Sequence, residues 1–136
     1  MLALDSLRLT IILMVLAVLL PFVCAIIAKM VGGFRFADNA QPRAFLAKTE
    51  GLAARIHAAQ LNGFEGLPIF LAAVLMALYA FVPVHIINQL AGVYIASRLL
   101  FIISYAMNLS MVRSVSWAIG IVACLLLFGL AFMLAY

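Results

Sequence analysis

Long apolar runs separated by short polar interruptions set the pattern of this chain. The first run, "LTIILMVLAVLLPFVCAIIA" over residues 9–28, is uncharged and carries Pro21. Its length matches a bilayer hydrocarbon core, which takes about 20 residues of helix, and the proline predicts a kink. From 29 to 51 the composition turns polar in "KMVGGFRFADNAQPRAFLAKTEG", read as one long loop. A second helix is expected over 52–81, because "NGFEG" lowers the hydrophobicity without a strong helix stop. About 30 residues make roughly 45 Å of helix, so its polar first turns must stand in the interface or line a protected interior. Pro68 marks a second kink, and 82–84 read as a tight turn. A third span over 85–109 holds Asn88, Gln89, Ser97, Arg98 and Ser104, and a fourth over 115–136 is uncharged. With flanking residues the spans become 8–31, 52–81, 85–109 and 113–136. They predict a single all-α domain over 1–136, an integral membrane four-helix bundle without internal repeats.

Composition sharpens this picture. With 70% hydrophobic and 9% charged residues, the chain lies far outside the range of soluble domains. Its net charge of +4 does not indicate nucleic acid, since the basic residues are neither clustered nor interleaved with exposed aromatics. Lys29, Arg35, Arg43, Lys48 and Arg55 belong to the first loop or its edges, Arg113 belongs to the third, and the second loop has no Lys or Arg. The positive-inside rule then places loops one and three in the cytoplasm and both termini on the other side. Cys24 and Cys124 fall in apolar runs without CxxC spacing and read as small buried hydrophobes. The first apolar run is too long for a signal-peptide core and lacks a small-x-small cleavage site, so it is expected to stay in the mature protein.

Chemistry concentrates in the two middle helices. Arg55, Asn62 and Glu65 share one face of the second helix, and Tyr94, Arg98, Phe101 and Tyr105 form a stripe on the third. An ionised residue at mid-membrane costs about 2.5–3.5 kcal/mol on insertion scales, so Glu65 and Arg98 are expected to face protein or trapped water, and to pair with each other. In "MVRSVSW", Arg113 and Ser114 are expected to open the fourth helix, where free N–H groups and the dipole favour anions. The alternative role for Arg113 is a topology anchor. His57 reads as a surface histidine with no second metal ligand at helical spacing. No metal is expected.

The motifs "RIHAAQLNGFE", "SRLLFIISY" and "RSVSW", in that order, resemble the membrane-associated proteins in eicosanoid and glutathione metabolism, and the preceding "DNAQPRAFLAKTEGLAARIHAAQLN" is similar to the bacterial branch of that family. The resemblance covers nearly the whole chain. It implies a left-handed bundle assembled as a homotrimer in the bacterial inner membrane, with glutathione as cosubstrate between subunits near the cytoplasmic side. It further implies that Asn62, Glu65, Arg98, Tyr105 and Arg113 bind or orient glutathione, that Arg113 and Ser114 stabilise the thiolate, and that a lipophilic electrophile enters from the bilayer. Transferase or peroxidase activity follows from that reading. The alternative is a non-catalytic protein holding a phospholipid or another anionic amphiphile in the same cleft. Four positions depart from the family pattern: Phe101 and Gln60 stand where histidine is frequent, Trp117 stands where the prostaglandin synthase has tyrosine, and Leu61 stands where that synthase has arginine, although microsomal transferases can have leucine there.

Overall fold

A computed structural model describes residues 4–135, and Tyr136, assigned above to the fourth span, lies outside the described residues. Among the described residues four helices are long and apolar enough to cross a membrane: α1 (Leu7–Val31), α3 (Gly51–Tyr79), α4 (Val84–Ala106) and α5 (Ser110–Leu134). Among the described residues there is no strand. The first loop is more ordered than its polarity suggests. It holds a 3-10 turn, Phe36–Ala40, and a short helix α2, Pro42–Ala47. The Arg35 amide donates to Asp38 Oδ2 at 2.7 Å and the Asp38 amide to the Arg35 carbonyl at 2.9 Å, so the turn closes on itself. Pro42 then starts α2 where a missing N–H costs nothing.

Helix ends follow local chemistry. Below α4, the Leu109 amide bonds to the Ser104 carbonyl at 2.8 Å and the Asn108 amide to the Tyr105 carbonyl at 3.1 Å, with Asn108 at φ 60°. That left-handed cap stops the third span at Ala106, short of the expected 109, and lets α5 begin at Ser110. The same device, with Gly33 at φ 74°, ends α1. Both prolines expected to kink their spans, Pro21 and Pro68, sit inside helices that continue through them.

Packing inverts the soluble pattern. Large apolar side chains such as Ile11, Val15, Leu19, Phe22 and Ile26 of α1 point outward, whereas the interior is rich in small residues, Ala17, Ala28, Ala59, Ala73, Ala77, Ala91 and Ala123, packed around a few large ones, Phe70, Val74, Ile87 and Leu127. Lipid tails are as apolar as leucine, so helices gain by the close approach that small residues allow. Gly120 is the tightest example. A Cβ there would lie 2.8 Å from Ser97 Oγ, which donates to the Tyr94 carbonyl at 2.7 Å. On the opposite crossing, Gly63 admits Pro21, whose Cβ would stand 3.1 Å from an added methyl.

Of the interior polar groups, Ser97, Ser104 and Ser116 donate to carbonyls of their own helices, whereas Thr10 and Asn88 bond across helices. Thr10 Oγ1 donates to Asn88 Oδ1 at 2.7 Å, while Asn88 Nδ2 donates to the carbonyls of Leu4 and Ser6 at 2.7 and 3.0 Å. Asn88 thereby ties the entry of α1 to the first turns of α4. At the other end, Arg55 Nε reaches the Ala106 carbonyl at 3.2 Å, placing a cation at the C-terminus of α4, where the dipole favours it.

Replacing Gly120 with alanine is expected to lower stability in detergent by about 1–3 kcal/mol, the usual range for overpacking. Adding Ser97→Ala to that variant should recover most of the loss, read by thermal unfolding; no recovery would mean that the α4–α5 approach is not set at this contact.

Candidate functional site

Along α4, Tyr94, Arg98, Phe101 and Tyr105 recur every three or four residues and share one face. They build a continuous column. Tyr94 stacks on Phe70 of α3 with ring centroids 4.1 Å apart. The Arg98 guanidinium lies 4.3 Å over the Phe101 ring, Phe101 meets Tyr105 edge to face at 5.4 Å, and the Arg113 guanidinium of α5 lies 4.5 Å over Tyr105. Two cations are thus separated by two aromatic rings, each presenting its negative π face to one of them.

The expected Glu65–Arg98 ion pair is not formed. Arg98 is buried and its Nη1 donates instead to Asn62 Oδ1 at 2.9 Å, while Glu65 is exposed on the surface of the chain. Helical geometry supplies the reason. Three residues turn the helix by about 300°, so Glu65 sits to one side of Asn62 and a turn further along. Only one of them can meet the guanidinium, and a neutral amide is cheaper to desolvate than a carboxylate.

A second expectation also changes. Arg113 and Ser114 do not open the last helix, because α5 starts three residues before Arg113 and the Arg113 amide already bonds to the Leu109 carbonyl at 3.0 Å. Its backbone N–H is therefore not free for an anion. What Arg113 offers is its side chain: among the described residues, no side-chain hydrogen bond engages its guanidinium, which is half-buried over Tyr105. Ser114 Oγ donates to the Ser110 carbonyl at 3.1 Å.

Asn62, Phe101, Tyr105, Arg113, Ser114 and Trp117 surround one cleft of about 490 Å³. Four of the residues proposed from sequence therefore converge. Arg98 does not line the cleft; it stands behind Asn62 and fixes it. Glu65 does not line it either. Below the cleft an apolar groove of about 320 Å³ runs between α4 and α5 past Leu90, Val93, Ile119, Val122 and Leu126, and the two hollows share Ala118. A separate hollow of about 760 Å³ in the first loop carries both signs of charge, from Asp38, Lys48 and Glu50. His57 is occupied locally, its Nδ1 lying 3.0 Å from Gln60 Oε1. Among the described residues no group of three or more His, Cys, Asp or Glu is placed to hold a metal.

The contacts of Thr10 with Asn88 and of Pro21 with Gly63 escaped the sequence reading, which placed the chemistry in the two middle helices. The available signal was general: a hydroxyl inside an apolar run seeks an interhelical partner.

A family model described as "MAPEG family" matches residues 9–133, a segment that includes every residue of the cleft. No curated protein is similar enough to count as a match.

Asn62→Leu, which leaves the buried guanidinium without its acceptor, is expected to lower stability by about 1.5–3 kcal/mol, the range for hydrogen bonds to charged groups. Glu65→Gln breaks no bond within the subunit and should cost less. Chemical denaturation of both variants in detergent checks the order; the reverse order would point to a Glu65–Arg98 pair.

Proposed function

The chain belongs to the MAPEG family, and from that premise we propose that the cleft binds glutathione and activates its thiol toward lipophilic electrophiles. The observation that carries this reading is Arg113: a guanidinium lining the cleft, held by Tyr105, with its N–H fork uncommitted among the described residues. Glutathione is anionic and its thiol is mostly protonated at neutral pH. A neighbouring arginine favours the thiolate and so lowers its pKa. Ser114 assists by turning its proton from the Ser110 carbonyl to the sulfur, since a hydroxyl rotates to suit its partner.

Arg98 contributes indirectly. By donating to Asn62 Oδ1 it fixes which end of the amide points away from it, leaving Nδ2 as the donor for a ligand carboxylate or carbonyl. Tyr105 shapes the wall beside Arg113. The electrophile lies in the apolar groove past Ala118, entered from the bilayer. The thiol gives its proton to water in the cleft, the thiolate sulfur forms a bond to the electrophilic carbon, and the bond from that carbon to its leaving group breaks, the group departing with the electron pair. This assignment makes Asn62, Tyr105, Arg113 and Ser114 the ligand-facing set and Arg98 a positioning residue.

Glu65 supports an assembly. It stands near the middle of α3, roughly 20 Å from either end, and an exposed carboxylate at that depth is costly in lipid. A homotrimer in which a neighbouring copy covers this face removes the cost and brings Glu65 toward the ligand's ammonium group. The basic residues of the first and third loops set these loops on the cytoplasmic side, with both termini opposite.

The continuity of cleft and groove also favours a second reading, in which an anionic amphiphile sits with its head at Arg113 and its tail along α5, without reaction.

Titration of the detergent-purified protein with glutathione, followed by ultraviolet difference absorbance, distinguishes the two. The expected result is a saturable thiolate band near neutral pH that Arg113→Ala abolishes without changing oligomeric state. Absence of both the band and any calorimetric heat would overturn the glutathione reading, and mass spectrometry of a co-purified anionic lipid would then favour the second.

A further inference from the structure

Arg98 is the only charged side chain among the described residues that is fully sunk in the bundle, at 6% exposure. One nitrogen of its fork, Nη1, is satisfied by Asn62, whereas Nη2 is buried with no protein acceptor. Buried donors of this kind are rarely left unpaired. Arg98 borders a narrow cavity of about 10 Å³ between α1, α3 and α4, whose wall also includes Ala17, Pro21, Cys24, Gly63 and Tyr94.

The same wall holds a matching deficit on α1. Pro21 has no N–H, so the carbonyl four residues earlier, that of Ala17, lacks its helical donor. No side-chain hydrogen bond among the described residues replaces it. Gly63 keeps α3 close against this point, where an added Cβ would meet Pro21 at 3.1 Å. Arg98, with its unpaired donor, and Ala17, whose carbonyl has lost its usual helical donor to Pro21, therefore both border one small space, and a volume of that order accommodates about one water molecule.

We propose that this cavity is a binding site for a single structural water, which accepts a hydrogen bond from Arg98 Nη2 and donates one to the Ala17 carbonyl. The sulfur of Cys24 supplies a weak third partner. A halide would answer the charge of Arg98, but it has no proton for the carbonyl and would be repelled by the carbonyl oxygen. Water answers both deficits. Its consequence is mechanical: α1 becomes bonded through water to Arg98, and through Arg98 to Asn62 at the edge of the cleft. The site does not depend on what the cleft binds.

High-resolution crystallography of the full chain, grown with bromide in place of chloride, tests this directly. The expected result is one peak within hydrogen-bond distance of both Arg98 Nη2 and the Ala17 carbonyl, without anomalous signal. An anomalous bromide peak there, or no peak, would overturn the proposal. Pro21→Ala restores an N–H to the helix and should satisfy the Ala17 carbonyl internally, so the peak is expected to weaken or vanish while the Arg98–Asn62 bond persists. A peak of unchanged strength and position in that variant would overturn the bridge to Ala17.

Discussion

A guanidinium inside an apolar bundle must find acceptors and π faces within reach, and the placing of Arg98 governs much of what surrounds it. Its charge is spread over a planar fork that can bond along its edge and stack along its face at once. Here the edge meets Asn62 and the face meets Phe101. The bond to Asn62 ties α3 to α4 at the depth of the cleft, while the stacking on Phe101 holds the guanidinium along its own helix. The Asn62 bond also decides the orientation of a polar side chain that lines the cleft.

From that hub the interaction continues by alternation of charge and ring. Phe101 carries the contact to Tyr105, and Tyr105 carries it to Arg113 on the next helix. The arrangement holds two guanidinium groups in one column without bringing them into contact. The inner one is bonded to Asn62 within the bundle; the outer one lines the cleft, and among the described residues no side-chain hydrogen bond engages it. A buried cation used for packing and a half-buried cation available to an anion are thus built from the same residue type, separated by the degree of desolvation each has undergone.

The scaffold makes this possible by using small residues where helices cross. Gly120 against Ser97 and Gly63 against Pro21 bring the helices close at these two crossings. Many large apolar residues face outward, while Phe70, Val74, Ile87 and Leu127 fill the interior between the helices. At the membrane ends, Arg55 on the last carbonyl of α4 and Asn88 on the entry of α1 hold the ends of the spans in register.

Much of this was legible in the order of residues. Apolar runs of the right length identify four spans because a helix satisfies its own backbone inside a bilayer, and the MAPEG motifs contain the polar positions of the middle helices. Asn62, Tyr105, Arg113 and Ser114 were all expected at the site from sequence, and the structure gathers them around one cleft. What sequence could not decide was partnership. Helical periodicity gives a shared face but not the rotation of one helix against another, so it pairs Arg98 with the most attractive opposite charge, Glu65, and misses the amide one turn away. The start of α5 was likewise decided by Asn108 adopting a left-handed conformation, which set Ser110 rather than Arg113 at the helix opening. The chain by itself determined which residues must lie in the membrane and which carry charge there; the tertiary structure decided which of those charges are bonded and which remain available, because that depends on distances of a few ångströms between helices far apart in sequence.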